Sequence, residues 1–322
     1  MRRFCILGFS ILVLLPSLDA ANRNDSAHIL KLVRPKDQLS PLIDTPNFMS
    51  ISDHIYIGKG SLKFDRIKDG DIIFIETSQY TTFMRHDFPK IKSKVILFYT
   101  ILYKTRDGKM LGYDYSTDWY KKMLDDDRVI AWYGRNIYHD HPKAHIVPLG
   151  LGCGQMMLKQ VLRDFLSQLN PSLYFREKKT KCLVNFRITG KRRRYLKKAL
   201  PKMQHASLFT FKNELPFNTY IKCLKNSEFI LSPRGACPDC YRTWEALYAG
   251  VIPIVEKTGI EKVYQDLPVL IIDNFENLTE KFLDAAKKEM SQKTYKLEKL
   301  TSAYWLNLIL DHQKAVRESF CK

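Results

Sequence analysis

Beyond its amino terminus, the sequence lacks any apolar run long enough to cross a bilayer, and it lacks internal repeats and low-complexity segments. The apolar run Phe4–Leu15 has the length of a signal-peptide core and falls short of the roughly 20 residues that a membrane-spanning helix needs. Two arginines precede this run, and Ala20 and Ala21 follow it. Residues 1–21 are therefore predicted to be a cleaved signal peptide, with a short uncleaved signal anchor as the alternative. Either one predicts a secretory-pathway lumen (Golgi-like) or the cell envelope, with membrane attachment only through an uncleaved anchor.

Acidic residues are scarce: 34 Asp and Glu stand against 52 Lys and Arg, which gives a net charge of +18. This balance favours anionic partners such as nucleic acid, phosphorylated small molecules, acidic glycans or anionic membranes. A soluble basic surface without a specific partner is the simpler interpretation. The predicted signal peptide and the lack of zinc-finger, RNA-binding or basic heptad motifs argue against nucleic acid. The 12% aromatic and 45% hydrophobic content predicts a packed globular protein.

The pair Cys237 and Cys240 has the spacing of a zinc-binding half-site, but no second pair of cysteines or histidines completes it. A redox-active site would require this motif at another place in the fold. In an oxidising compartment, we expect a disulfide within this loop or to Cys153, Cys182 or Cys223.

Short β-rich runs alternate with amphipathic helical runs, which is typical of α/β proteins with parallel sheets. The length of 322 residues allows two domains. A proline and a charge cluster between Asn170 and Lys181 place the boundary there, which gives domains at 22–172 and 173–322. The predicted strands are 71–76, 94–99, 128–134, the start of 145–152, 181–186, 228–232, 251–255 and 268–272. The predicted helices are 116–124, 155–169, 191–200, 217–225, 239–249 and a long region from 277.

A Pro-Arg-Gly turn joins the predicted strand 228–232 to a helix, at the strand end where ligands bind in α/β sheets. The amino terminus of this helix offers unpaired N–H groups, and Arg234 adds a planar cation suited to phosphate. Gly235 lets the backbone approach a ligand. Arg242 and Glu245 share a helix face, where the carboxylate could accept hydrogen bonds from a ribose diol. The stretch predicts a site for a nucleotide diphosphate with its sugar; a structural ion pair between Arg234 and Glu245 is the alternative.

Three stretches resemble the exostosin family of glycosyltransferases: FILSPRGACPDCYRTWEALYAGVIPIV, KCLVNFRITGKRRR and VIAWYGRNIYHDHPKAHIVPLGLG. The first resembles the donor-binding signature of that family, and the resemblance spans roughly residues 128–272. It implies a GT-B fold, in which two doubly wound Rossmann-like domains face a cleft. It also implies an activated nucleotide-sugar donor as co-substrate and an inverting reaction without a metal or other cofactor. Residues 22–172 would bind the acceptor and residues 173–322 the donor, with the last helices closing the second domain.

The resemblance implies that Arg234 holds the diphosphate and that Glu245 holds the ribose. Basic residues after the first strand of the second domain could also neutralise phosphates, although KRRR is more typical of a solvated helix start. The other expected donor contacts are Ser232, Gly235, Arg242, Arg187 and Lys191.

An inverting transfer needs a base that deprotonates the acceptor hydroxyl. Such a base is expected in the first domain at the carboxyl end of a strand. Glu76 ends a predicted strand and is the first candidate, followed by His86 and Asp87 in the next loop. His139 and His141 follow another predicted strand.

The acidic run Asp125–Asp127 contains the Asp-x-Asp spacing that holds a divalent metal in other glycosyltransferases. It lies at the end of a predicted helix in the first half, away from the predicted donor pocket, and is interpreted as a solvated turn. In GT-B enzymes, basic residues and helix dipoles stabilise the leaving diphosphate, so no metal is expected.

The sequence therefore predicts a glycosyltransferase that moves a hexose or pentose from a nucleotide sugar, foremost a UDP-sugar, to a glycan or glycoprotein. The charge of +18 allows this acceptor to be anionic. The alternative is a non-catalytic, basic glycan- or polyanion-binding protein. An intact Arg234 and Glu245 favour the transferase, because a lectin derived from one has no need of them.

Overall fold

The computed structural model describes residues 30–76, 79–99, 118–137, 140–152, 156–188, 190–202, 207, 209–211, 215–235 and 237–321. The predicted signal peptide lies outside the described residues. No helix within the described ranges is both long enough and apolar enough to cross a membrane. The strands are β1 His54–Tyr56, β2 Asp71–Ile75, β3 Val95–Tyr99, β4 Val129–Gly134, β5 Ala144–Ile146, β6 Thr180–Val184, β7 Phe209–Phe211, β8 Ser227–Leu231, β9 Ile252–Glu256 and β10 Leu270–Ile272.

The α-helices are α1 Thr45–Ser50, α2 Tyr80–Thr82, α3 Asp118–Asp125, α4 Met156–Leu166, α5 Ser172–Phe175, α6 Gly190–Ala199, α7 Phe217–Lys225, α8 Tyr241–Tyr248, α9 Glu280–Met290 and α10 Ser302–Phe320. A π-helical turn, Phe83–Asp87, follows α2. Short 3₁₀ helices lie at Lys36–Gln38, Phe64–Arg66, Phe88–Lys90, Leu200–Lys202, Glu261–Tyr264, Phe275–Asn277 and Leu297–Leu300.

The strands form two five-stranded parallel sheets, which confirms the predicted α/β class. In the second sheet the order is β10-β9-β8-β6-β7, so β7 is added on one side of β6, and β8, β9 and β10 are added on the other. This point, where the strand order reverses, is where ligands bind in doubly wound sheets. The first sheet runs β1-β2-β3-β4-β5. Each of its strands is added on the same side as the last, so only the second sheet has a doubly wound order among the described strands.

The eight predicted strands are all present, and most of them are β-branched or aromatic runs buried in a sheet, whereas the three residues of β5 are only half-buried. Strands β2, β3 and β8 are buried along their whole length, as expected for parallel strands covered on both faces. The sequence pattern does not predict β1 and β7. Each has three residues, too few for a periodic pattern to show.

A segment near the start of the described chain packs against the second half. Near the amino terminus, Leu42 pairs with Thr301, and the Ile43 amide donates to the Tyr248 hydroxyl at 3.0 Å. One cluster of buried side chains continues through both halves, from Phe98 in β3 to Trp244 in α8. The halves are therefore packed against each other over a shared core.

Helix α10, which the sequence analysis assigned to the second domain, packs against the first sheet. Gln313 Nε2 donates to Asp53 Oδ2 at 2.7 Å and to the Gly70 carbonyl at 2.9 Å. Arg317 forms an ion pair with Asp71 at 2.6 Å. The helical pattern predicted this helix, but it does not show which sheet receives its buried face.

His145 and His312, which lie where α10 contacts the first sheet, make the free energy of unfolding depend on pH. Tyr133 Oη lies 2.7 Å from His312 Nδ1, and His145 stacks on the Tyr133 ring at 4.7 Å between centroids. Burial lowers the pKa of both histidines; for His145, the neighbouring His312 and Lys262 lower it further. The unfolded chain, with an ordinary pKa of about 6.5, therefore binds protons before the folded protein does.

We expect the free energy of unfolding to be highest above pH 6.5 and to fall as the pH drops below that value. Urea unfolding at pH 7.5, 6.5 and 5.5 would measure this, and His145→Gln and His312→Gln should each flatten the dependence. The exposed His86→Gln serves as the control. If the free energy of unfolding depends on pH as steeply in both variants as in the native protein, the two histidines do not cause that dependence.

Candidate functional site

The Pro-Arg-Gly loop, residues 232–240, follows β8, next to the point where the strand order of the second sheet reverses. Its start is fixed to the sheet, because the Ser232 amide donates to the Ile254 carbonyl at 2.9 Å. The Ser232 hydroxyl lies 2.9 Å from Thr243 Oγ1 of α8 and is buried. Arg234 stands on this loop with an exposed side chain. The structure thus places the predicted anion-binding loop at the expected sheet edge.

Beneath this loop lies Arg193, a residue that the sequence analysis did not single out. Its side chain is 8% exposed. Nε and Nη2 donate to the Pro233 carbonyl at 3.2 and 3.0 Å, and Nη1 donates to the Arg187 carbonyl at 3.4 Å. One guanidinium therefore connects the loop after β6 with the loop after β8, and it adds positive charge below the predicted phosphate position.

The four basic residues of KRRR have different environments. Arg192 pairs with Glu256 and with Glu276, the latter at 2.8 Å. Lys191 and Arg194 are exposed. The solvated-helix interpretation thus holds for the exposed pair and is wrong for Arg193. The available signal was spacing, because Arg193 lies three and seven residues before the buried Leu196 and Leu200.

The close approach of Arg193 explains the glycine in the loop. A Cβ atom on Gly235 would lie 2.9 Å from Arg193 Nη2. Gly235→Ala should push on a buried guanidinium, destabilise the fold by about 1 kcal/mol and weaken UDP binding about tenfold. Gly60→Ala controls for a loss of stability away from the site, because its φ of 81° strains an alanine although the added Cβ meets nothing within 4 Å. Calorimetric titration would measure the affinities, and equal UDP binding in both variants would contradict the prediction.

Helix α8 presents Arg242 and Glu245 to the same region. Glu245 is 6% exposed, and its Oε2 accepts a hydrogen bond from the Tyr220 hydroxyl at 2.7 Å. Nη1 of Arg242 is buried and has no hydrogen-bond partner among the described residues. The guanidinium carbons of Arg193 and Arg242 lie 6.0 and 5.9 Å from the centroid of the Phe186 ring. A buried, unpaired guanidinium N–H is an open position for an anionic ligand oxygen.

The other end of the loop is fixed to the first half of the chain by Asp239. Its carboxylate accepts from the Leu149 amide at 2.7 Å and from Trp244 Nε1 and the Tyr264 hydroxyl at 2.9 Å. Its own amide donates to Asn136 Oδ1 at 2.9 Å. Burial raises the pKa of Asp239 to about 6, although these donors oppose the shift. The loop is therefore held in place by both halves.

The cysteines of this loop are free thiols, as are Cys182, Cys223 and Cys321. The expected disulfide involving Cys237 or Cys240 is therefore not formed with any described cysteine, and Cys153 lies outside the described residues. Cys240 Sγ lies 3.4 Å from Arg193 Nη2 and 3.6 Å from the Pro233 carbonyl. Its thiol faces inward against the loop backbone, which explains why it does not meet a second cysteine.

The base candidates of the first half occupy three different environments. Glu76 directly follows β2 at the carboxyl edge of the sheet and is half-buried, and His86 is exposed. Asp87 is buried and accepts from the Tyr56 hydroxyl at 2.6 Å and from Lys90 Nζ at 2.8 Å. Burial opposes ionisation of Asp87, but the Lys90 and Tyr56 hydrogen bonds outweigh it and lower its pKa. A carboxylate with occupied oxygens and a lowered pKa is a weak base, which argues against Asp87. Glu76 stays the first candidate on its position at the strand end alone.

The remaining sequence candidates lie elsewhere. His139 is outside the described residues, and His141 lies 3.8 Å from Asp125. Asp126 forms an ion pair with Arg128 at 2.8 Å. Within the described part of the chain, no group of three or more His, Cys, Asp or Glu side chains is arranged to hold a metal ion.

Comparison with known families bears on the second half of the chain. Residues 157–307 match the family model described as the RXYLT1 C-terminal domain. This is a xylosyltransferase-related family. The match covers β6 to β10 and the Pro-Arg-Gly loop. The exostosin family itself, which the sequence resembles, is not the family that matches.

No curated protein matches the chain. Among solved structures, the chain is 13% identical to the GtfA/B complex, with a TM-score of 0.41, covering 79% of this chain and 58% of that one. It is 12% identical to the pneumococcal O-GlcNAc transferase GtfA in complex with UDP and GlcNAc, with a TM-score of 0.32, covering 79% of this chain and 54% of that one. The chain thus spans little more than half the length of either structure, and likeness at this level does not bear on its activity.

Proposed function

We propose that this protein is a glycosyltransferase that uses a UDP-sugar as donor and a glycan or glycoprotein as acceptor. The observation that carries the proposal is that two arginines lie together where the strand order of the second sheet reverses. There, Arg193 supports the Pro-Arg-Gly loop from below, and Arg242 offers a buried, unpaired Nη1 on α8. This arrangement suits the diphosphate of a nucleotide sugar, and the family match supports the same reaction class.

In the proposed complex, Arg234 and Arg242 bind the diphosphate, while Glu245 accepts hydrogen bonds from the ribose. Ser232 and Gly235 line the pocket, and Arg187 and Lys191 add positive charge from the loop and helix after β6. As the bond to the sugar breaks, negative charge develops on UDP. The fixed guanidinium groups and the amino terminus of α8 stabilise that charge. No metal or other cofactor is needed for this step.

The acceptor is proposed to bind on the side of the first half. Inversion at the sugar requires a base opposite the leaving UDP, and we assign that role to Glu76, with His86 and Asp87 as alternatives. Because the chain carries a charge of +18, an anionic acceptor suits its surface. The proposed location is the lumen of the secretory pathway, reached through the amino-terminal segment.

The alternative function, a non-catalytic polyanion-binding protein, is favoured by one observation. Lys191, Arg194 and Lys198 lie exposed on α6, and such a basic surface attracts polyanions without any donor site.

Donor use separates these functions. Purified protein is incubated with UDP-xylose first, because of the family match, and then with UDP-hexoses, while release of UDP is followed with and without acceptor glycans. The transferase predicts acceptor-dependent UDP release that Glu76→Gln reduces at least about 100-fold. A folded protein that releases no UDP from any donor, yet binds a sulfated or uronic-acid polymer, would favour the alternative.

A further inference from the structure

The structure contains a second buried arginine that the donor site does not use. Arg135 follows β4 at the carboxyl edge of the first sheet and is 3% exposed. Its Nε and Nη2 are both buried without a hydrogen-bond partner among the described residues. The guanidinium carbon lies 5.9 Å from the centroid of the Phe48 ring. A buried guanidinium with unpaired N–H groups is unfavourable unless a ligand or an ordered water completes it.

The neighbouring Asn136 shows the same feature. It is 1% exposed, and its Nδ2 is buried without a hydrogen-bond partner in the described part of the chain. The orientation of its amide is fixed, because Oδ1 accepts the Asp239 amide at 2.9 Å. Its backbone has a φ of 57°, a conformation that asparagine tolerates better than most residues. Two consecutive residues therefore leave donor groups unpaired in one interior region.

All of these unpaired groups are donors, and one residue carries a permanent positive charge. Their complement is a ligand group that only accepts hydrogen bonds and is negatively charged. The Asp239 carboxylate is near enough to Arg135 to interact electrostatically. However, its two oxygens accept from Leu149, Trp244 and Tyr264. Asp239 thus balances charge without pairing the Arg135 N–H groups.

We propose that Arg135 and Asn136 form an oxyanion subsite that binds a phosphate-type group of the substrates, contributed by the first half of the chain. Asn136 also contacts the loop that carries the donor residues, so the subsite adjoins the proposed donor site. Because Arg135 is buried, the proposed subsite requires the contact between Asn136 and the Asp239 amide to open before an anion can enter. The assignment to a substrate rests on the proposed function; anion binding itself does not.

Thermal unfolding of the full chain in inorganic phosphate, against sodium chloride at equal ionic strength, tests the subsite. The unfolding midpoint of the native protein should rise by about 3 °C at roughly ten times the dissociation constant of phosphate. Arg135→Met should reduce this rise to the part that phosphate binding at Arg234 and Arg242 contributes. Asn136→Asp should reduce it in the same way, because it keeps the acceptor for the Asp239 amide, removes the Nδ2 donor and adds a negative charge. Arg66→Met, at an exposed arginine, should leave the rise unchanged.

If Arg135→Met does not fold, two milder variants replace it. Arg135→Lys keeps the positive charge, and Asn136→Asp keeps the contact with the Asp239 amide. A phosphate-dependent rise of equal size in all variants would overturn the subsite. No rise over sodium chloride in the native protein would overturn it as well, and would indicate that ordered water completes Arg135.

Repeating the titration with saturating UDP separates the two sources of the anion. If the donor diphosphate occupies the subsite, UDP removes the phosphate effect, and Arg135→Met weakens UDP binding. If the anion belongs to the acceptor, the phosphate effect adds to that of UDP, and UDP affinity is unchanged. A protein that binds phosphate through Arg135 but does not bind UDP would retain the subsite and reject the proposed donor function.

Discussion

Glu245→Ala is expected to lower the affinity for UDP about 100-fold, because charge-assisted hydrogen bonds to the ribose contribute about 3 kcal/mol in total. The carboxylate is buried beside α7 and keeps one oxygen bonded to Tyr220. It is therefore positioned before the ligand arrives, which limits the entropy lost on binding. Calorimetric titration of UDP into the native protein and the variant would measure the effect.

Two controls separate ligand binding from internal structure at Glu245. Tyr220→Phe removes the same internal hydrogen bond but keeps the carboxylate, so UDP affinity should change only a few-fold. Pyrophosphate lacks a ribose, so Glu245→Ala should bind it as the native protein does. If Glu245→Ala binds UDP with native affinity, Glu245 has no role in nucleotide binding.

The second large effect is expected at Asp239. Asp239→Ala removes the acceptor of three buried hydrogen bonds, one of which crosses to the first half at Leu149. It also leaves those donors unpaired, so we expect the free energy of unfolding to fall by about 3 kcal/mol. Denaturant unfolding measures the change, and a loss below about 0.5 kcal/mol would contradict this role for Asp239.

The same residue gives a pH dependence with a defined sign. Burial raises the pKa of Asp239 from 3.8 to about 6, so between these values the folded protein holds a proton that the unfolded chain releases. This contribution therefore lowers the free energy of unfolding as the pH rises from about 4 to 6. Asp239→Asn should remove this component of the pH dependence, while the opposite dependence from His145 and His312 remains.

The sequence predicted four of the five strands of the second sheet, because these strands are short apolar runs, and a loop containing glycine and proline follows β8. The position of that loop followed from the rule that ligands bind at the carboxyl ends of parallel strands. Those two features were enough to predict where Arg234, Arg242 and Glu245 would lie.

Other features depend on contacts between distant residues, which local patterns do not encode. Arg193 stands among exposed basic residues, so only its spacing from the buried leucines distinguishes it. Asp239 sits in a polar loop and is nevertheless buried, because its partners come from Leu149, Trp244 and Tyr264. The unpaired groups of Arg135 and Asn136 become visible only when the two halves are packed together.

Calorimetric titration of UDP into the full chain, with GDP and uridine as comparisons, tests the central claim most directly. We predict micromolar binding of UDP. Uridine should bind far more weakly because it lacks the diphosphate, and Arg242→Met should weaken UDP binding at least tenfold by removing the guanidinium with the unpaired Nη1. If neither UDP nor GDP binds to the folded protein, the reversal point of the second sheet is not a donor site, and the polyanion-binding function would replace the transferase.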